Sequence, residues 1–299
     1  MNGRATEASF PAKGSIRRRK KSQLREVWKR MLKNKAAVVG LVVMIALVLT
    51  AVFADFIAPY HYDDQNLEHA FMTPCREHWF GTDNFGRDIL SRIIYGARIS
   101  LQVGLISVGI GAAVGGALGA SAAYYGGYTD NIVMRLIDVL LAIPSILLAI
   151  SISAALGPGL VNAMIAVGIG TVPTYARVVR ASVMTVKEQE FIEAARCIGA
   201  KSPRIILKHI LPNAMAPIIV QATLGVAAAI LSAAALSFIG LGIQPPTPEW
   251  GAMLSAGRQY IRDYWHIVTF PGLAIMLTIF ALNLLGDGLR DALDPRLKR

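Results

Sequence analysis

The residues of this 299-residue chain that could do chemistry sit in two stretches. The first holds His61, Asp63, Asp64, Glu68, His69 and His78, imidazoles and carboxylates of the kind that bind divalent metals. Their spacing fits no ligand motif, so solvated polar loop residues are the expected reading and no metal site is assigned. The second stretch, TVKEQEFIEAARCIGAKSPRIILKHILPN, runs from Thr185 to Asn213. Neither stretch builds a catalytic centre. No GK dipeptide occurs, so the loop that cradles nucleotide phosphates is missing and the chain cannot itself be an ATP motor. HExxH, GxSxG and a membrane-embedded aspartate pair are also missing, and His209 and His266 lie far apart, which sets aside an intramembrane hydrolase. The chain is expected to be no enzyme, with no catalytic residue and no cofactor of its own.

The elements that must position these stretches are membrane helices. Apolar residues make up 54% of the chain and charged ones only 16%, against about a quarter in soluble domains. A helix needs about 20 mostly apolar residues to cross a bilayer core. Charge-free runs cover 36–54, 99–129, 139–176, 210–248 and 264–286. The third is long enough for two spans broken at Leu156-Gly157-Pro158-Gly159, so the expectation is an all-α, polytopic protein with six transmembrane helices. The first run is too long for a signal h-region and lacks an A-x-A site. The expected order is a basic tail (1–35), a first span (36–58), an outer loop (59–98), a core of five spans (99–288) that includes an inner loop (183–217), and a short tail (289–299).

Lys and Arg give the direction, because cytoplasmic loops hold the excess. With the N-terminus inside, 24 of the 30 basic residues fall on inner segments, so both termini are expected in the cytoplasm and loops 59–98 and 244–263 outside. The formal charge of +11 therefore reflects topology and not nucleic-acid binding. The run Arg17 to Lys21 reads as an anchor to anionic lipid. Cys75 and Cys197 fall on opposite sides and cannot pair.

Local chemistry refines several elements. Thr185 with Glu188 fits a capping box, Gly199 can stop the helix it starts, Ser202-Pro203 can start another, and Pro212 can end it. The inner loop thus reads as two short helices broken at Gly199. Gly111, Gly115 and Gly119, with Gly104 and Gly116 nearby, form a stripe for close helix packing against an unspecified neighbour. Arg135 and Asp138 can pair across one turn. Residues 86–98 read as an amphipathic helix lying flat on the outer membrane surface, with Asp88 four residues before Arg92.

The inner loop resembles the EAA-loop permeases of ATP-binding-cassette importers. Glu193, Ala194, Ala195, Gly199, Leu211 and Pro212 fall on that signature, while His209 stands where it prefers an apolar residue. Across nearly the whole chain after Gln23, the sequence is similar to one branch, the second permease of dipeptide, oligopeptide and nickel importers. Phe80-Gly81-Thr82-Asp83, Gly86-Arg87-Asp88, Ser91-Arg92, Tyr95-Gly96-Ala97-Arg98, Pro245 to Leu254 and Asn283 to Pro295 carry that likeness. The resemblance implies a type I importer permease fold in a bacterial inner membrane. It also implies a heterodimer with a homologous permease, two ATP-binding subunits that hold ATP and Mg, and an extracytoplasmic binding protein. The short helix with Glu193 would dock in the ATPase, Ala194 and Ala195 allowing close approach and Gly199 setting the turn. The outer helix with Arg87 and Arg92 would shape the outer mouth or meet the binding protein. A passive channel would need no such docking loop.

Overall fold

The computed structural model describes residues 23–293; the run Arg17 to Lys21 and the last residues of the C-terminal motif lie outside them. Among the described residues there is no strand, only an isolated bridge between Thr82 and Asp88. The helices are α1 (Gln23–Met31), α2 (Lys35–Val52), α3 (Ala54–Ile57), α4 (Ile89–Tyr125), α5 (Gly127–Ala142), α6 (Ser145–Leu156), α7 (Leu160–Lys187), α8 (Glu190–Cys197), α9 (Ser202–Arg204), α10 (Leu211–Phe238), α11 (Trp250–Gly257) and α12 (His266–Leu293). A π-helical segment, Ile205–Ile210, fuses α9 to α10.

Four helical stretches are long and apolar enough to cross a membrane: Lys35–Val52, Ile89–Tyr125, Ser202–Phe238 and His266–Leu293. The pair α5 and α6 would make a fifth if counted as one span, but it bends by 89°. The bend falls at Ile143-Pro144, where proline removes a donor and pushes the preceding residue, φ −93° and ψ 125°, out of helical geometry. Helix α7, expected as a separate span, is long but carries Arg177, Arg180 and Lys187 and falls outside this set. Length and composition thus support four or five spans where six were expected.

Small residues hold the bundle together. Along α4 the stripe faces α7 of the same chain: a side chain at Gly111 would meet Thr171, at Gly115 the Val172 carbonyl, and at Gly119 the Ala176 backbone. Gly104 turns toward Val226 and Ile230 of α10. At Gly40 of α2 the close neighbour is the backbone of Ala281 in α12. Where lipid offers no hydrophobic driving force, such approach supplies the dispersion contact that binds helices.

Several boundaries differ from expectation. The first span ends at Val52, and α3 begins at Ala54. The segment expected to lie flat is the opening of α4, which starts at Ile89 behind the Asp88 cap and runs unbroken for 37 residues; Gly86 to Asp88 are not helical. The loop expected over 59–98 therefore ends at 88. Helix α12 continues to Leu293, so residues 289–293 belong to a helix and not to a tail. Cys75 and Cys197 are both free, one in the 58–88 loop and one on α8.

Candidate functional site

One end of the bundle carries α8. Its eight residues include the buried Ile192 and Ala195, which pack with Ala120, Ala123 and Tyr124 of α4, Val179, Val183 and Val186 of α7, and Ile205, Ile210 and Ala214. Burying Ile192 fully contributes about 1.5–3 kcal/mol. Glu190, Phe191, Glu193, Ala194 and Ile198 face outward, Ile198 with 84% of its surface exposed. The two alanines thus point opposite ways: Ala194 is available to a partner, while Ala195, expected to be available too, packs against its own chain.

Tyr124, near the last turn of α4, ties α8 to the bundle. The Arg196 guanidinium lies 5.6 Å from the Tyr124 ring centre and the Lys187 ammonium 6.0 Å. Lys187 Nζ also donates to the Ala123 carbonyl at 2.9 Å, satisfying an orphan acceptor at the end of α4. Cations over a tyrosine face are attracted by its quadrupole, at about 0.5–2 kcal/mol each. Spacing alone gave no sign of this contact, since Tyr124 lies far from α8 in sequence.

Beyond α8 the chain turns at Gly199, which adopts φ +79° as expected and lets Ala200 N–H donate to the Ala195 carbonyl at 3.1 Å. Other local readings hold only in part. Helix α7 runs through Thr185, whose hydroxyl donates back to the Ala181 carbonyl, so Thr185 and Glu188 form no capping box. A helix does restart at Ser202-Pro203 with proline in its first turn, but Ser202 is its first residue and makes no capping bond. Pro212 does not end a helix; it lies in the first turn of α10. Its missing N–H would break the i−4 bond to Lys208, and the preceding turn widens, Leu211 N–H reaching the Ile206 carbonyl five residues back. His209 and Leu211 are half-buried on this fused helix and Pro212 is exposed. Glu193, Ala194, Ala195 and Gly199 therefore share one short unit, while His209, Leu211 and Pro212 begin a long helix.

Nearby, Asp138 pairs with Arg177 at 2.6 Å and Asp130 with Arg180 at 2.6 Å. The expected bond between Arg135 and Asp138 does not form, because α7 offers Asp138 a closer guanidinium.

The opposite end carries the second set of sequence-predicted residues, folded into a buried polar cluster. Asp83 Oδ1 accepts from the Phe85 and Arg87 amides at 2.8 and 3.1 Å, and its Oδ2 accepts from Arg87 Nε at 2.8 Å. Arg92 Nε approaches the same Oδ2 at 3.8 Å, and its Nη1 donates to the Tyr62 carbonyl at 3.0 Å. Asp88 caps α4, accepting from Ser91 N–H and Ser91 Oγ at 2.7 Å each, and receives His78 Nδ1 at 2.9 Å. The expected Asp88–Arg92 pair is replaced by these partners. The Thr82 hydroxyl bonds to the His69 carbonyl. Gly81 and Gly86 take φ +76° and +71°, and a side chain on either would strike the Met72 carbonyl or the Asn66 backbone. Each of these polar groups is matched inside the chain, so the motif stabilises the loop and its cap on α4. His78, expected to be solvated, is buried here, and no group of three metal-ligating side chains forms among the described residues.

Two further sets of contacts were not visible in the sequence. Glu249, buried, caps α11 by accepting from Gly251 and Ala252 amides at 2.9 and 2.8 Å. Burial pushes its carboxyl above the usual glutamate range, against the pull of those two amides and Ser237. At the exposed rim, Arg98 donates to the Ala51 carbonyl at 2.9 Å and pairs with Asp55 at 3.1 Å, and that bond holds the Asp55 carboxyl below its usual range.

With this geometry in place, the comparisons define the class. Residues 115–299 match the family described as binding-protein-dependent transport system inner membrane component, and residues 22–74 match the N-terminal TM domain of oligopeptide transport permease C. The chain belongs to that inner-membrane component family: it is a multi-pass permease of the ATP-binding-cassette importers. It is 53% identical to the dipeptide transport system permease protein of Alkalihalophilus pseudofirmus, over 93% of this chain and 91% of the relative. It is 48% identical to a di/tripeptide transport system permease protein of Pseudomonas aeruginosa (93% and 93%) and 50% identical to a glutathione transport system permease protein of Escherichia coli (91% and 90%). Among solved structures, the inward-facing MetNI methionine ABC transporter matches with a TM-score of 0.55 at 20% identity, covering 69% of this chain and 98% of that one. The fold is that of a type I importer permease.

Proposed function

We propose that this chain pairs with a homologous second permease and two ATP-binding subunits to import dipeptides and other short peptides delivered by an extracytoplasmic binding protein. The α8 end and both termini face the cytoplasm, in line with the excess of Lys and Arg there, and α7 serves as a buried span that brings the total to six. The chain is not an enzyme and holds no cofactor, ATP and Mg being bound by the ATPase subunits.

One observation carries this reading: α8 is anchored on one side and bare on the other. Ile192, Ala195 and the Tyr124 contacts fix it to α4, α7 and α10, while Glu193, Ala194 and Ile198 stand ready for a groove in the ATPase. Glu193 supplies a charge-assisted hydrogen bond and Ala194 a close approach. When the ATPase dimer closes, α8 moves as a lever and its anchors pass the displacement to α4 and α10. The spans then switch between inward-open and outward-open, and the peptide leaves its binding protein for the membrane path. The outer polar cluster keeps the mouth of α4 in one shape during that switch.

The test is uptake of radiolabelled alanyl-alanine into proteoliposomes that contain the complete complex and its binding protein. Uptake that needs ATP and stops on its removal is expected; uptake without ATP would mean a passive channel. The 50% identity to a glutathione permease supports a second reading, glutathione import by the same architecture, which competition by unlabelled glutathione would reveal. Oligopeptides and nickel are tested the same way.

A further inference from the structure

Midway along the bundle, α6, α7 and α10 enclose a cavity of about 240 Å³. Ser145, Thr171, Thr174, Tyr175, Gln221 and Ser232 contribute its polar lining, and no charged residue reaches it. Thr171 spends its hydroxyl on the Gly168 carbonyl at 2.8 Å, and Tyr175 donates to the Gln221 carbonyl at 3.2 Å. Among the described residues, the hydroxyls of Ser145, Thr174 and Ser232 and the side-chain amide of Gln221 make no hydrogen bond. Tyr175 is 1% exposed and forms the back wall, its hydroxyl filling the space that a side chain at Gly225 would occupy. At the rim, Ser145, Thr174 and Ala228 are exposed, so the cavity opens sideways.

Four unpartnered polar groups converging at this depth call for an explanation. Facing hydrocarbon, each would lose its water bonds without replacement, whereas polar or irregular structure persists at membrane depth where it lines a water-filled space. The bent junction of α5 and α6 lies just before Ser145 at the same rim and obeys the same rule.

We propose that this cavity is a transit subsite for the peptide backbone, built on the import reading above. Its donors and acceptors are all neutral hydroxyls and amides, which match a peptide unit. It offers no cation for a carboxylate, no anion for an ammonium, and no imidazole, thiolate or carboxylate for a bare metal ion. Its volume is below the roughly 300–1,000 Å³ of drug-sized pockets, so it holds a peptide unit while the charged termini extend through the open side. Reading only the backbone, it passes peptides of varied side chain and leaves selection to the binding protein.

The test uses the complete complex in proteoliposomes, with Cys75→Ser and Cys197→Ser removing the native thiols. Thr174→Cys and Ser232→Cys are then compared with Leu231→Cys, which is exposed on the neighbouring face of α10. A charged, membrane-impermeant methanethiosulfonate reagent should modify the cavity cysteines about tenfold faster than the Leu231 position, equivalent to about 1.4 kcal/mol of access. Alanyl-alanine with its binding protein and ATP should slow that modification. Equal labelling of the three positions, or labelling that the dipeptide leaves unchanged, overturns the subsite. Gln221→Leu should lower alanyl-alanine uptake about tenfold while stimulation of ATP hydrolysis by the loaded binding protein persists, as expected for a lost backbone contact; unchanged uptake also overturns it. If the unaltered complex imports no alanyl-alanine at all, the dipeptide reading fails separately, and faster labelling of the cavity cysteines alone decides whether the space is aqueous.

Discussion

Replacing Gly199 isolates the angle of the proposed coupling unit from every other property of the protein. A Cβ added there meets nothing within 4 Å, so no substitution at this position clashes with a neighbour. The whole effect is torsional: φ is +79°, and L residues other than asparagine and aspartate resist that region by about 1–2 kcal/mol. Asparagine should therefore be mild, alanine intermediate and valine, with its branched Cβ, the most strained. Even the valine penalty is a small part of the roughly 5–15 kcal/mol that keeps a domain folded. The chain should fold and assemble but relax its strain by rotating α8 relative to the fused α9–α10 helix, since Gly199 is the hinge between them. The assay is the number of ATP molecules hydrolysed per alanyl-alanine imported by reconstituted complexes. The ratio should rise in the order asparagine, alanine, valine, with the amount of assembled complex unchanged. Gly199→Val with wild-type uptake and an unaltered ratio would refute the lever, as would three variants that behave alike.

Other positions give sharper packing tests. Tyr124→Phe keeps the ring face under Lys187 and Arg196 and should leave coupling intact, whereas Tyr124→Ala empties a buried ring site at about 3–5 kcal/mol, loosens α8 and should raise ATP hydrolysis per peptide. Gly115→Leu drives a side chain into the Val172 carbonyl and should destabilise the α4–α7 pair by more than the roughly 1–3 kcal/mol typical of overpacking, read as a lower melting temperature of the purified complex. Glu249→Ala removes the α11 cap at about 0.5–2 kcal/mol, while Glu249→Gln retains an acceptor and should be milder. Because burial raises the Glu249 pKa, its favourable contribution is full below the ordinary glutamate pKa and declines as pH rises through the elevated value. The stability advantage of the wild type over Glu249→Gln should accordingly shrink with rising pH; an advantage that grew would contradict the burial.

Charge-free length located α2, α4, α10 and α12, because spanning a bilayer is a demand on composition that any window can detect. The αL turn at Gly199 and the closely packed stripe on α4 were equally visible, since both follow from the absence of a Cβ. What escaped was decided by partners far along the chain. Arg92 and Arg98 precede the charge-free run that begins at 99, yet α4 continues through them because the carbonyls of Tyr62 and Ala51 and the carboxylates of Asp83 and Asp55 receive them. Thr185 and Glu188 had the spacing of a cap, but α7 was already under way and its carbonyls took the hydroxyl. The bend at Pro144 did carry a local signal, the restriction that proline places on Ile143, and a search for uncharged runs passes over it.

The two ends of the bundle are built for different tasks, and α4 joins them. It begins in the Asp83–Arg87–Asp88 cluster, where the polar groups of the motif are matched, and it finishes under Tyr124, where cation–π and van der Waals contacts join the Lys187 hydrogen bond to the Ala123 carbonyl. At about 1.5 Å per residue, its 37 residues form a rod of roughly 55 Å. Gly111, Gly115 and Gly119 lock the second half of that rod to α7 through backbone contact, and packed interfaces of this kind shift between discrete arrangements and do not stretch. A displacement entering at α8 therefore cannot be absorbed between α4 and α7, which must turn together. The relative motion has to appear where the packing is weaker, beside the bent α5–α6 pair and the side of the cavity at Ser145 and Thr174. The proposed lever at one end and the neutral polar space at the middle would then be parts of one device, because the joint most able to open is the one that lines the proposed path.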